Sequence, residues 1–135
     1  MAQQIDTAYL KQTMTGPGYV GPFRESGSGD FFTFQITAID DDTIEAWSAT
    51  DPTSTWTAGN TWVSESGAAI SSIWCAEDPT QTDIIVVAVQ HGSGANSGDV
   101  VVNEFDMSTG NWGTASIAWD DSVAVSYTHL RAHET

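Results

Sequence analysis

The sequence predicts an all-β protein built from antiparallel sheets, and three observations carry this prediction. Short segments alternate apolar and polar residues with a period of two, clusters of Gly, Pro, Asn and Asp separate these segments, and no long stretch has the apolar spacing of a helix. The chain has 135 residues, of which 40% are hydrophobic, so it can form a core of ordinary size. We therefore expect one domain, or part of one.

The first thirty residues differ from the rest. Residues 1–30 are rich in Gly, Ser, Thr and Pro, which interrupt helices, and we interpret them as a lead-in arm with room for one short strand. The N-terminus lacks the basic start and apolar run of a secretory signal. No stretch approaches the ~20 apolar residues that span a bilayer. The sequence assigns no cellular compartment.

Two strand pairs follow the arm. Residues 32–39 alternate in polarity, and the acidic run 40–42 separates them from a strand that begins at Thr43, which predicts a hairpin. Residues 70–76 and 84–90 predict another pair. The second of these segments is almost entirely β-branched, as expected for a strand covered on both faces.

A further strand over residues 100–105 leads into a turn. Gly110 lies where a bulged hairpin needs a left-handed residue, before Trp112. The turn that begins at Asp51 has the same form, an aspartate followed by a tryptophan at Trp56. The two tryptophans recur at a spacing near the roughly 40–50 residues of a propeller blade.

This repeat favours a partial β-propeller over a sandwich. We expect about two blades, over residues 31–66 and 67–119, in a propeller segment spanning 31–124. A closed ring needs at least about four blades, so these two belong to a larger ring.

One of the two turns has a known relative. Residues 49–56, Ala-Thr-Asp-Pro-Thr-Ser-Thr-Trp, resemble the Asp-box of sialidase-like propellers, S-x-D-x-G-x-T-W. Asp51, Thr55 and Trp56 match, whereas Ala49 and Thr53 depart from the pattern. The resemblance implies a structural turn in which the carboxylate accepts backbone N–H bonds and the tryptophan packs between sheets. Asp106 and Trp112 form a second copy that is one residue longer.

The same resemblance suggests two candidate catalytic residues. Phe23 and Arg24 match half of the F-R-I-P segment that carries one arginine of the sialidase carboxylate clamp, so Arg24 is a candidate carboxylate ligand. The alternative is a surface arginine, or one paired with Glu25. Asp41 is the candidate acid, and a solvated turn is the alternative for its acidic run.

Charge limits the classes of partner. The formal net charge is −15, with three Lys and Arg against eighteen Asp and Glu, which repels phosphate backbones and anionic membranes. We therefore expect no nucleic-acid or membrane partner. Trp47, Trp62 and Trp119 are candidate platforms for stacking sugars, and burial between blades is the alternative. The candidate partners are a carbohydrate or another protein.

We expect no metal and no cofactor. The run 40–42 lacks the alternating ligands of a calcium loop, and no cluster of zinc ligands is present. Cys75 is the single cysteine and is expected to be a buried small hydrophobe. His91 lies at a strand end, where a surface position is expected.

The C-terminal segment is set apart from the fold. Residues 125–135 resemble the translation of a sequencing-library adapter, so we treat them as a non-native tail. His129, His133 and Glu134 of this tail are accordingly not interpreted as a metal site, and we expect the natural protein to continue beyond Ala124.

The sequence thus favours a non-catalytic propeller module that binds a carbohydrate or a protein. One alternative is the N-terminal part of a sialidase-type glycoside hydrolase, whose other catalytic residues would lie further along. Another is a structural component of a particle or appendage.

Overall fold

A computed structural model describes residues 20–37 and 41–121 of the chain. The expected non-native tail, most of the lead-in arm and Asp40 lie outside these residues. Within them, the regular elements are β-strands paired in antiparallel fashion, so the all-β prediction is confirmed. No helix in the described ranges is long and apolar enough to cross a membrane.

The strands follow one another in chain order. They are β1 Val20–Arg24, β2 Phe31–Ile36, β3 Thr43–Ala49, β4 Thr57–Val63, β5 Ile70–Glu77, β6 Ile84–His91, β7 Val100–Asp106, β8 Asn111–Trp112 and β9 Ser116–Trp119.

The strands form two sheets in which neighbours in sequence are neighbours in space. The first sheet has the order β1-β2-β3-β4, and the second has the order β5-β6-β7-β8, with β9 also paired to β7. β8 and β9 lie beside opposite ends of β7, so together they act as the last strand of a second meander. β1 lies within the expected lead-in arm and pairs with β2.

One hydrophobic core lies between the two sheets. The ring centroids of Phe34 in β2 and Phe105 in β7 are 5.1 Å apart, and those of Trp62 in β4 and Trp112 in β8 are 5.4 Å apart. β1 contacts β5, and β4 contacts β8. Strands with the same position in each meander therefore lie together, and the two sheets run in the same direction.

β6 shows how the second sheet is oriented. Its residues alternate strictly between buried and half-buried, and Ile85, Val87 and Val89 are fully buried in the core. Val86 and Ala88 point to the opposite side and are only half-buried. The expectation that this strand is covered on both faces is therefore wrong for the described residues, because its second face meets no equally tight layer.

The segment between the sheets is fixed by the acidic run and by His91. The carbonyl of Asp42 accepts the N–H of Ser64 at 3.1 Å, and the carbonyl of Asp41 accepts the N–H of Ile70 at 3.0 Å. His91 is only 2% exposed, with Nδ1 3.0 Å from the carbonyl of Ala68 and Nε2 3.0 Å from Ser64 Oγ. The surface position expected for His91 is therefore wrong, since its ring joins the connection to β6.

Candidate functional site

Both aspartate turns join the third and fourth strands of their sheets. Asp51 lies between β3 and β4, where its carboxylate accepts the N–H of Thr53 at 2.8 Å and Ser54 Oγ at 2.8 Å. Asp106 ends β7, and its carboxylate accepts the N–H and hydroxyl of Ser108 at 2.9 and 2.6 Å. Each carboxylate therefore closes a tight turn.

A third turn of this kind connects β5 and β6. The carboxylate of Asp78 accepts the N–H of Thr80 at 2.8 Å and its hydroxyl at 2.7 Å, and it accepts Gln81 Nε2 at 3.0 Å. Sequence reasoning missed this turn, although Asp78-Pro-Thr repeats the Asp51-Pro-Thr pattern. The shared signal is an aspartate two residues before a Thr or Ser.

Hydrogen bonds keep these carboxylates ionised. The Thr53 hydroxyl is the main cause of the lowered pKa of Asp51, and the Ser108 hydroxyl has the same effect on the pKa of Asp106. The Thr80 N–H is the main cause of the lowered pKa of Asp78. A general acid for glycoside hydrolysis needs a raised pKa, so these three groups are unsuited to that role.

The tryptophans that follow the two turns differ in their surroundings. Trp112 packs on rings from both sheets, at 5.7 Å from Phe34 and 5.0 Å from Phe105, and its Nε1 donates to the Asn60 carbonyl at 3.0 Å. Trp56 is buried but is not part of this core. Thr55, between Asp51 and Trp56, is exposed.

Arg24 lies at the end of β1, where that strand meets the start of β2. Its Nε donates to the Gly29 carbonyl at 3.3 Å, and its guanidinium carbon lies 5.8 Å from the centre of the Phe31 ring. It does not pair with Glu25, whose carboxylate accepts the N–H groups of Gly27 and Ser28.

The cleft beside Arg24 is acidic. It has a volume of about 200 Å³, and its lining includes Glu77, Asp78 and Asp83. Asp83 is held in place by Ser26, whose N–H and hydroxyl donate to its carboxylate at 2.8 and 2.6 Å. Three acids around one guanidinium disfavour a negatively charged ligand.

Asp41 lies at the other end of β2 from Arg24. Arg24 pairs with Phe31 at the start of β2, whereas the Asp41 carboxylate accepts the hydroxyl of Thr37, which directly follows that strand. Six residues at about 3.3 Å per residue separate these ends by roughly 20 Å. The two catalytic candidates are therefore too far apart to act on the same bond.

The three candidate stacking tryptophans lie in different environments. Trp62 is 7% exposed and packs in the core, so its ring faces are not available to a sugar. Trp47 is half-buried, and its indole Nε1 lies inside with no hydrogen-bond partner in the described part of the chain. Trp119 is 41% exposed at the end of β9. Of the three, Trp119 is the only one with substantial access to solvent.

Trp119 belongs to an apolar surface that sequence reasoning did not identify. Two rows of cross-strand neighbours form it, and we call these eight residues the outer face of the second sheet. One row is Trp74, Ala88, Val102 and Ser116, and the other is Ser72, Gln90, Val100 and Trp119.

The outer face contains no charged residue, and Trp74 and Trp119 lie on its opposite edge strands. Trp74 is 39% exposed, and the four central residues between the two edges are half-buried.

The alternation of residues 72–76 contained a signal for the position of Trp74. Ile73 and Cys75 point to the core, whereas Trp74 points away from it. Burial raises the pKa of the Cys75 thiol, which keeps it protonated.

Comparisons of this chain with family models, with curated proteins and with solved structures found no match.

The described residues hold no cluster of three or more His, Cys, Asp or Glu side chains with the spacing of a metal site. The arrangement instead combines turn-closing carboxylates with one uncharged aromatic surface, which can bind a partner by burial of apolar area.

Proposed function

We propose that this chain is part of a propeller-type protein with no catalytic role of its own, and that the outer face of the second sheet binds a further polypeptide, either the next blade or another protein. The observation that carries the proposal is the uncharged outer face itself, on a chain with a net charge of −15. Exposed apolar patches of this kind mark binding surfaces.

The repeated geometry of the sheets supports the propeller assignment. Trp62 is the cross-strand neighbour of Ile44 in the first sheet, and Trp119 is the cross-strand neighbour of Val100 in the second. Each pair lies between the third and fourth strands, after an aspartate turn. The two sheets also meet first strand to first strand, which is how adjacent blades stack.

The same geometry argues against hydrolysis by this part of the chain. Arg24 and Asp41 lie at opposite ends of β2, and the carboxylates of the aspartate turns are ionised and already hydrogen-bonded. A glycosidase places its acid and its nucleophile or base on either side of the bond to be broken, within about 10 Å of each other, and in sialidases the nucleophile is a tyrosine. The candidate residues do not form such a pair.

The chemistry between Trp74 and Trp119 favours a protein over a sugar. A sugar site combines an aromatic platform with several polar groups that fix the hydroxyls. Here the centre of the outer face is formed mainly by Ala88, Val100 and Val102. The one long polar side chain, Gln90, donates its Nε2 to the Gly98 carbonyl at 3.0 Å, so it is engaged within the chain.

A pair of assays tests the proposal. We expect no turnover of a fluorogenic sialoside by the wild-type chain and the same baseline from Arg24→Ala. We also expect the apolar dye ANS to bind the dilute chain and to lose most of its fluorescence with Val102→Glu, while Val63→Glu, which places the same charge on an exposed β4 residue, has little effect. Turnover that Arg24→Ala abolishes would contradict the non-catalytic assignment, and equal dye binding by both variants would contradict the assigned surface.

A further inference from the structure

We propose that a cleft beside the outer face of the second sheet binds a carboxamide side chain, that of an Asn or Gln, presented by the further polypeptide that covers this face. The assignment rests on the proposed function and adds the chemistry of one contact. The cleft has a volume of about 150 Å³, and we call it the strand-break cleft. It is lined by Val86, Val102, Asn103, Glu104, Thr114 and Ser116.

The strand-break cleft exists because the last strand of the second sheet is interrupted. β8 pairs with residues 105–106 of β7, and β9 pairs with residues 100–102. Between them, the Gly113 N–H donates to the Glu104 carbonyl at 2.8 Å, and the chain then leaves the ladder before β9 begins. Among the described residues, Asn103 and Glu104 therefore have no strand partner on this edge of β7, and the cleft lies beside them.

Asn103 places a hydrogen-bond donor in the wall of this cleft. It occupies a core-side position of β7, between Val101 and Phe105, and is only 3% exposed. Its Oδ1 accepts the Glu104 N–H at 2.8 Å, in place of the missing strand. This bond fixes the orientation of the amide and leaves Nδ2 without an acceptor in residues 20–37 and 41–121. A buried donor gains free energy when an acceptor is supplied, so this nitrogen points to a ligand with an oxygen.

The rest of the lining determines which ligand fits. The exposed carboxylate of Glu104 only accepts hydrogen bonds, whereas the hydroxyls of Thr114 and Ser116 can donate or accept. Val86 and Val102 form an apolar wall beside them. The volume equals that of roughly five water molecules, which suits the head of a side chain. The cleft thus combines a neutral donor, an ionic acceptor and a small apolar surface.

A carboxamide satisfies these groups together. Its carbonyl oxygen accepts from Asn103 Nδ2, its NH₂ group donates to Glu104, and its methylene contacts the valines. A lysine or arginine side chain has donors but no acceptor for Asn103, and a carboxylate is repelled by Glu104. An aliphatic side chain leaves both polar groups unpaired, at a cost in free energy.

The location of the cleft identifies the covering polypeptide as the source of the carboxamide. Val102 and Ser116 belong to both the cleft and the outer face, so a polypeptide that packs on the outer face also closes the cleft. Closure removes water from Asn103 and Glu104, and partners for them must then come from the covering chain. This requirement is the same for a next blade and for a separate protein.

Nuclear magnetic resonance of the ¹⁵N-labelled full chain, titrated with acetamide, tests the assignment. Acetamide has the atoms of an Asn side chain, and sodium chloride screens the net charge of the protein. We expect the Asn103 side-chain amide and the Ser116 backbone amide to shift and to saturate with a dissociation constant of roughly tens of millimolar. Methylguanidinium should bind at least about threefold more weakly, because it has no acceptor, and acetate should not bind.

An isosteric variant isolates the donor. Asn103→Asp keeps an oxygen for the Glu104 N–H but removes Nδ2, so acetamide binding, followed at Ser116, should weaken roughly tenfold or more. The matched control is Asn96→Asp, which adds the same charge at a residue that does not line the cleft. It should leave binding unchanged within a factor of two. Circular dichroism checks that each variant is folded, and the ranking of the three probes on the wild-type chain needs no variant.

Three results would overturn the assignment. They are the absence of a saturable shift at about 0.5 M acetamide, tighter binding of methylguanidinium than of acetamide, and undiminished acetamide binding by a folded Asn103→Asp chain. ANS binding that Val102→Glu abolishes, together with no sialoside turnover, would in each of these cases leave the proposed function intact. Saturable acetamide binding with sialoside turnover that Arg24→Ala abolishes would instead overturn the proposed function.

Discussion

The aspartates that follow strands in this chain bind the backbone two residues further on. Asp51, Asp78 and Asp106 each accept the N–H of a Thr or Ser at 2.8 or 2.9 Å, and each also accepts that residue's hydroxyl. A short side chain that satisfies two donors at once replaces water at the turn and fixes its direction.

Substitution of Asp106 tests the value of this arrangement. Asp106→Ala removes the acceptor for Ser108, and we expect the free energy of unfolding to fall by about 1 kcal/mol in urea titrations. Asp30→Ala is the control, because it also removes a carboxylate beside a turn, and the hydrogen bonds of Asp30 among the described residues are made by its backbone N–H and carbonyl. An equal loss in both variants would show that net charge, and not the turn, determines the effect.

His91 anchors the connection between the two sheets. Because the Ala68 carbonyl can only accept, Nδ1 carries a proton, and Nε2 is left to bond to Ser64. His91→Leu keeps the volume but removes the donor to the Ala68 carbonyl and leaves Ser64 Oγ with only its 3.3 Å bond to the Asp42 carbonyl, so we expect a loss of about 2 kcal/mol in the free energy of unfolding. His91→Gln, which retains a donor and an acceptor, should recover part of it. If His91→Leu is as stable as the wild type, the ring has no anchoring role.

At the level of elements, the carboxylates with a lowered pKa lie in the turns and loops between strands, and they make the stability of the fold depend on pH. The side-chain hydroxyl of Ser28 is the main cause for Glu25, and that of Thr43 is the main cause for Asp42, in addition to the three aspartate turns. A group whose pKa is lower in the folded state stabilises the fold above its ordinary pKa, 4.5 for Glu25 and 3.8 for the aspartates. This contribution disappears as the pH falls through the lowered value.

The difference between wild type and Asp106→Asn isolates this effect from the overall charge. We expect Asp106→Asn to be less stable than the wild type at about pH 6 and the difference to shrink toward zero as the pH falls below 3.8 and through the lowered pKa of Asp106, because the wild-type carboxylate is then protonated. Chemical denaturation of both proteins across this range measures it. A difference that stays constant with pH would contradict the ionised turn.

The packing of the sheets depends on Trp112 more than on the exposed tryptophans. Its ring contacts Phe34 and Trp62 of the first sheet and Phe105 of the second. We expect Trp112→Ala to cost about 3 kcal/mol of stability. Trp74→Ala, at a residue that is 39% exposed, should cost less than about 1 kcal/mol when measured in dilute solution. Similar losses of stability in the two variants would contradict a core in which Trp112 packs between the two sheets.

The elements that follow local rules could be predicted from the sequence. Alternation over 32–36 predicted β2, and Gly110 adopts the expected left-handed conformation with a φ of 74°. The burial of His91 could not be predicted, and the sequence could not decide between burial and exposure for Trp62, because both depend on which face of each sheet meets the other. The same reason applies to Trp74, which is 39% exposed because no tight layer over the second sheet is formed by residues 20–37 and 41–121.

At the scale of the whole molecule, the two sheets have similar topology but differ in what covers the face on which Trp62 and Trp119 lie. Trp62 and Trp119 occupy equivalent places beside Ile44 and Val100, yet one is 7% and the other 41% exposed. The difference arises because the second sheet covers the first, whereas no described residue covers the second to the same extent. The uncharged outer face is the consequence of this asymmetry.

Hydroxyl-radical footprinting of the six tryptophans, on the dilute monomer with mass-spectrometric readout, tests this asymmetry most directly. The stacked sheets require Trp74 and Trp119, 39% and 41% exposed, to oxidise severalfold faster than Trp62 and Trp56, which are 7% and 8% exposed. Comparable oxidation of Trp62 and Trp119 would contradict the stacking of the two sheets and, with it, the binding surface derived from that stacking.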